Sequence, residues 1–168
     1  MTRGIREHFE AMQKAFGPNI YNDFMLKHAK EYDFGSASFE GERGEVHGCF
    51  QNAFHLAFED QSMTYVEGKL SCHGVPIDHA WCIDRNGFVI DPTLEDAGQV
   101  MGYFGIPFRT EYVQKAFVWN GYYCSVLDYF YANKTAPKLF ELGLDAGQQW
   151  LLDQPHRPSR KRARARVA

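Results

Sequence analysis

The sequence predicts an α+β domain in which a helix bearing a cysteine packs on a short antiparallel sheet, flanked in the chain by N- and C-terminal helices. Three observations carry this expectation. Apolar residues recur at helical spacing near the N-terminus, an apolar helical run begins at Cys49 behind a glycine-rich stretch, and two alternating segments bracket a turn at Asp84 to Gly87. A chain of 168 residues suits one domain with a core large enough to need no disulfide or metal staple.

The elements follow in order. Ile5, Phe9, Met12 and Phe16 lie on one helical face, and Gly17-Pro18 is a stop signal, so residues 3–16 read as an amphipathic helix. A second helix is expected over residues 22–32, with Phe24, Met25 and His28 inward. Residues 33–44 are rich in glycine and polar side chains, as an exposed loop would be. From Cys49 to about Glu59, Phe50, Ala53, Phe54, Leu56 and Ala57 fit a largely buried helix with Cys49 in its first turn. Residues 64–70 read as a strand, followed by a turn through Gly74 and Pro76. Residues 102–108 read as an aromatic, glycine-rich connection. Helices are expected over residues 110–117, 122–131 and 137–142, and in a segment opened by Asp145 as N-cap and ending near Leu152.

The hairpin between His79 and Asp91 has two possible registers. Asn86-Gly87 alone fits a two-residue turn, whereas Asp84-Arg85-Asn86-Gly87 fits a type I turn whose last glycine is left-handed and forms a bulge. In the first register Asp91 pairs with Cys82 and falls on the sheet face opposite His79. In the second, Asp84 faces Phe88, Ile83 faces Val89 and Trp81 faces Asp91, which sets His79 and Asp91 diagonally on one face. Turn residues and chemistry agree on the second register, which leaves Cys82 on the opposite, core-facing side.

Charge divides the chain. All 21 acidic residues lie at or before Asp153, and six of the 18 basic residues follow it, so the body carries 12 basic against 21 acidic groups, net −9, and the tail +6. Residues 1–154 are therefore expected as the domain and residues 155–168 as a basic, disordered tail, able at most to make weak contact with nucleic acid or an acidic partner. No apolar stretch follows Arg3 and Arg6, and none approaches membrane-spanning length, so the expectation is a soluble, cytoplasmic protein. Cys49, Cys72, Cys82 and Cys124 are too few and too widely spaced for a disulfide framework and are expected as free thiols.

Cys49, His79 and Asp91 carry the chemistry. Each alone has a plain structural explanation: cysteine is among the most buried residue types, and Asp-Pro often ends a strand. Together they form a thiol, an imidazole and a carboxylate in workable order. A helix start favours the thiolate form of a cysteine, His79 can take and return the proton, and Asp91 can fix the imidazole tautomer. The Cys49 N–H is a candidate oxyanion donor. No cofactor is implied. No Cys-x-x-Cys or His-x-x-x-His pair supports a metal site, and the glycines near Gly41 lack the spacing of a phosphate loop.

Gly48-Cys49 opening a helix, a strand ending in Gly68, then His79-Ala80-Trp81 and Ile90-Asp91-Pro92-Thr93 on the following strands resemble the core of the transglutaminase-like superfamily, relatives of papain. Residues 45–108 are also similar to small bacterial and phage proteins carrying Cys-Phe-x-Asn-Ala, Tyr-Val-Glu-Gly, His-Ala-Trp and Asp-Pro-Thr. The resemblance implies a papain-like fold and a Cys49, His79, Asp91 triad acting on a protein, peptide or small amide by hydrolysis or acyl transfer. The alternative is an inactive binding or structural module on the same fold. The spacing from Cys49 to His79 is shorter than in the large transglutaminases, and no Gln stands just before Cys49 to supply a papain-type oxyanion side chain. The second donor stays open, with His47 and Gln51 as candidates. Arylamine acetyltransferases share the order of the three residues but are much longer chains. Trp81 and Tyr103 are candidates for a substrate cleft but are expected chiefly as packing residues with only an edge exposed, Tyr103 being the first choice for a cleft wall because its glycine neighbours let the backbone come close.

Overall fold

The computed structural model describes residues 4–32, 39, 41–94 and 100–127. The chain runs α1 (Ile5–Phe16), α2 (Ile20–His28), β1 (Lys30–Tyr32), α3 (Cys49–Glu59), β2 (Thr64–Cys72), β3 (Val75–Ile83), β4 (Val89–Ile90), β5 (Val100–Phe108) and α4 (Thr110–Asn120). The five strands form one antiparallel sheet in the order β1-β5-β2-β3-β4. The α+β class is as the sequence predicts.

Each sheet face has its own apolar cluster. Ile5 and Phe9 of α1, Phe24 and Met25 of α2, Ala53, Phe54 and Ala57 of α3, and Val113 and Phe117 of α4 pack with Tyr65, Ala80, Cys82, Ile90, Phe104, Ile106 and Phe108 of the sheet. Helices α1 to α4 thus cover one face. The other face gathers Tyr32, Val66, Leu70, Trp81, Ile83, Val89 and Tyr103. Because side chains alternate along a strand, His79 goes with Trp81 and Ile83, while Ala80 and Cys82 face the helices. Cys82 is fully buried and its thiol donates to Ala53 O at 3.1 Å, a core role as expected.

The β3–β4 turn takes the bulged form. Ile83 pairs with Val89 and Cys82 with Ile90. Asp84 N–H donates to Phe88 O at 3.0 Å, Gly87 N–H to Asp84 O at 2.9 Å, and Gly87 adopts φ +81°. The Asp84 carboxylate accepts from the backbone N–H of Asn86 and of Phe88, both at 2.9 Å, which ties the turn from inside.

Three local expectations are corrected. The second helix ends at His28, not Tyr32: Asn19 caps its start by accepting from Tyr21 and Asn22 N–H, Ala29 is already extended, and Tyr32 pairs with Tyr103. Pro76 lies within β3, and the β2–β3 turn is made by His73 and Gly74, both at positive φ. Residues 122–125, expected in a helix, form a bend and an irregular segment after Gly121 closes α4 in the left-handed conformation, and helix begins only at Val126. The expected helices over 137–142 and 145–152, and the basic tail, lie outside the described residues.

The largest correction is β5. A segment that reads as a connection is a strand between β1 and β2. Gly105 faces Gly68 across the β5–β2 ladder, and a Cβ at Gly105 would overlap the Trp81 ring, while one at Gly68 would overlap Phe104 O. The glycines let an indole and two backbones approach closely, which is a strand role rather than a loop signal. Pro107 stands opposite Val66 of β2, beyond the span of β1.

A buried carboxylate joins the chain after α4 to the sheet. Glu67, 1% exposed, accepts from Tyr65 Oη at 2.8 Å, from Ser125 Oγ, and from Val126 and Leu127 N–H at 3.0 Å each. Burial pushes its pKa from the ordinary 4.5 up to about 7, against the lowering effect of these donors. Among the described residues no helix is long and apolar enough to cross a membrane.

Candidate active site

The sheet presents the imidazole and the carboxylate together. His79 Nε2 donates to Asp91 Oδ2 at 2.7 Å, and each residue is 4% exposed. Asp91 is held from every side. Its Oδ1 accepts from Thr93 N–H at 2.9 Å and Leu94 N–H at 3.2 Å, in the turn that Pro92 begins, and Oδ2 also accepts from Tyr103 Oη at 2.9 Å. Burial alone would raise the Asp91 pKa, yet the hydrogen bond and charge of His79, with the Thr93 amide and the Tyr103 hydroxyl, bring it below the usual carboxylate range.

The sulfur arrives from the helix side. Cys49 is the first residue of α3, which packs on β3 and β2 over the face opposite His79. Beside His79, β3 pairs with β2 through Gly68, while on its other side, among the described residues, β4 pairs only with Cys82 and Ile83 and stops short of His79. There the Cys49 side chain lies close enough to His79 to help raise the imidazole pKa. Burial by itself depresses the His79 pKa, but the hydrogen bonds with Asp91 and Cys49 and the charges of both partners outweigh it and hold the imidazole at about 9.

The remaining expected site residues divide. Trp81 and Tyr103 are 0% and 1% exposed and pack around the imidazole. The Trp81 ring lies nearly parallel to that of His79, with centroids 6.2 Å apart, and 4.9 Å from Tyr103. The pair shields the His79–Asp91 hydrogen bond from water. His47 and Gln51 are exposed at the start of α3, His47 in a turn at φ +85°. Cys49 itself is 9% exposed, at the margin of solvent.

The Tyr103 hydroxyl on Asp91 is the candidate-site contact that sequence reasoning misses. Its signal would have been the alternation of β5, hidden by reading that segment as a connection. Burial first, then the charge and hydrogen bond of Asp91, push the Tyr103 pKa up, so the phenol stays a donor. Gly48 caps α3 without a side-chain hydrogen bond, so no capping side chain occupies the first-turn amides beside the sulfur. Among the described residues no three of His, Cys, Asp and Glu converge as a metal site would require. Comparison with protein-family models, curated proteins and solved structures finds no match to this chain.

Proposed function

We propose that the protein is a thiol-dependent amide hydrolase or acyltransferase working through Cys49, His79 and Asp91, on a papain-like or transglutaminase-like core. One observation carries this reading: the buried His79 ring is held by a carboxylate on Nε2, and the first-turn cysteine of a helix is near enough to help raise its pKa. A packed structural cysteine has no need of an imidazole oriented by a four-contact carboxylate.

In the reaction, the Cys49 thiol passes its proton to His79, the sulfur attacks an amide carbonyl carbon, and the carbonyl oxygen takes the negative charge beside the Cys49 N–H. The C–N bond breaks, His79 delivers its proton to the leaving amine, and an acyl thioester remains. Water or a second amine then attacks the thioester, giving its proton to His79, and the thiol is restored as the carboxylic acid or new amide departs. Asp91 keeps the imidazole in the tautomer that both steps need. His47 and Gln51, exposed beside Cys49, are positioned for substrate contact, and one of them for the second oxyanion donor.

The test is alkylation by iodoacetamide, followed at each cysteine by peptide mass spectrometry. At pH 6 a free thiol is almost wholly protonated. Cys49 is expected to react at least about tenfold faster than Cys124, and His79→Ala to remove most of that advantage. Equal rates at the two cysteines, unchanged in His79→Ala, would support the inactive binding module instead.

A further inference from the structure

The geometry points to Asn52 and Thr93 as positioning residues that clamp the start of α3 to the turn holding Asp91, an inference that rests on the triad proposed above. The sulfur and the carboxylate belong to parts of the chain that come together only in the tertiary structure. Asn52, one turn after Cys49, donates through Nδ2 to Thr93 Oγ1 at 3.1 Å and to Glu45 O at 2.9 Å. Thr93 is two residues past Asp91, and its own N–H is a donor to the Asp91 carboxylate. One side chain therefore reaches from the helix that carries the nucleophile to the turn that fixes the carboxylate.

The segment in front of Cys49 closes the same connection. Gly44 N–H donates to Pro92 O at 3.0 Å. The Arg43 guanidinium donates to Asp91 O at 3.1 Å and also to Leu94 O. Gly48 N–H donates to Glu45 O, and Asn52 N–H to Gly48 O, so the strap from Arg43 to Gly48 runs directly into α3. The Asn52 carboxamide lies against Gly44 so closely that a Cβ there would overlap it.

Neither Asn52 nor Thr93 hydrogen-bonds Cys49 or His79 through its side chain, so their effect on chemistry is indirect. A thiol-to-imidazole contact is sensitive to displacements well under 1 Å. Helix and strand here meet with no ladder of backbone hydrogen bonds to set their separation. The clamp supplies that missing constraint.

The experiment uses the full chain and compares Thr93→Val, Thr93→Ser and Asn52→Ala with the wild type and His79→Ala. The readout is the iodoacetamide rate at Cys49 between pH 5 and 9, with Cys124 as internal reference and a thermal melt of each variant. Thr93→Val removes the acceptor hydroxyl with almost no change of shape, and Thr93→Ser restores it. Expected is a roughly fivefold or greater loss of the pH 6 rate in Thr93→Val and Asn52→Ala, a wild-type profile in Thr93→Ser, and an unchanged Cys124 rate. A structural role alone would lower the melting temperature and leave the pH profile below it intact. Wild-type Cys49 profiles in Thr93→Val and Asn52→Ala, with His79→Ala still impaired, overturn the clamp and leave the triad standing. Wild-type profiles in all three, His79→Ala included, overturn the triad and the clamp together.

Discussion

Val89 faces Ile83 across the β3–β4 hairpin, and this pairing places Asp91 on the same sheet face as His79. A slip of one residue would send Asp91 toward the helices and leave the imidazole without its carboxylate. The register in turn depends on Gly87, which occupies the left-handed region at φ +81°.

Gly87→Ala is therefore expected to destabilise the fold by about 1 kcal/mol, the strain of an L-residue in that conformation. The measurement is urea unfolding at pH 7. If the hairpin is the device that presents Asp91, the same variant also lowers Cys49 alkylation at pH 6. Wild-type values on both counts would contradict the account of the turn.

Tyr103→Phe removes one donor from a buried carboxylate. A cost of about 1 to 2 kcal/mol follows from the lost charge-assisted hydrogen bond. The direction with pH is also fixed. Asp91 has a lowered folded pKa, so its contribution is present above the unfolded carboxylate pKa and is lost as pH falls. Without the Tyr103 donor that lowering is smaller, so acid unfolding is expected to begin at a higher pH than in the wild type, as a circular-dichroism titration would show.

Gly68→Ala should be among the most damaging single-methyl additions. The new Cβ collides with Phe104 O and the Gly105 Cα, both main-chain atoms in the sheet interior that no rotamer change can move aside. A loss of roughly 3 kcal/mol is expected, read by denaturant unfolding, with Gly105→Ala comparable because it strikes the Trp81 ring and Glu67 O.

Two buried groups make stability fall as pH rises. Glu67 has its folded pKa raised from 4.5 to about 7, so its favourable contribution is complete below 4.5 and is lost by about pH 7. His79, raised from 6.5 to about 9, contributes fully below 6.5 and is lost as pH passes about 9. Each is on the order of 3 kcal/mol from the size of the shift. Urea midpoints between pH 5 and 9 are expected to decline throughout. Glu67→Gln removes the slope below about pH 7, and His79→Asn the slope above about 6.5. A flat profile in the wild type would refute the linkage.

The local parts of this molecule were legible in its sequence. The start of α3 at Cys49, the N-terminal helix and the Asp84 to Gly87 turn depend on helical spacing, a glycine before the cysteine and an aspartate that bonds its own turn, all acting over a few residues. From these, the shared face of His79 and Asp91 follows by counting along two strands. The sequence also carried the candidate nucleophile, since a thiol at a helix start is a local feature.

Tertiary structure decided the rest. β5 has glycines and a proline that signal a loop, and only the indole of Trp81 and the main chain of β2 show why a strand needs them there. Tyr32 leaves the expected helix because Tyr103 supplies a strand partner. Glu67 and Tyr103 gain their roles from donors and acceptors brought in from distant segments. Above all, α3 covers one sheet face while His79 lies on the other, and how near Cys49 comes to the imidazole depends on strand order and strand length. Those are set by burial over the whole chain, which no window of a few residues encodes.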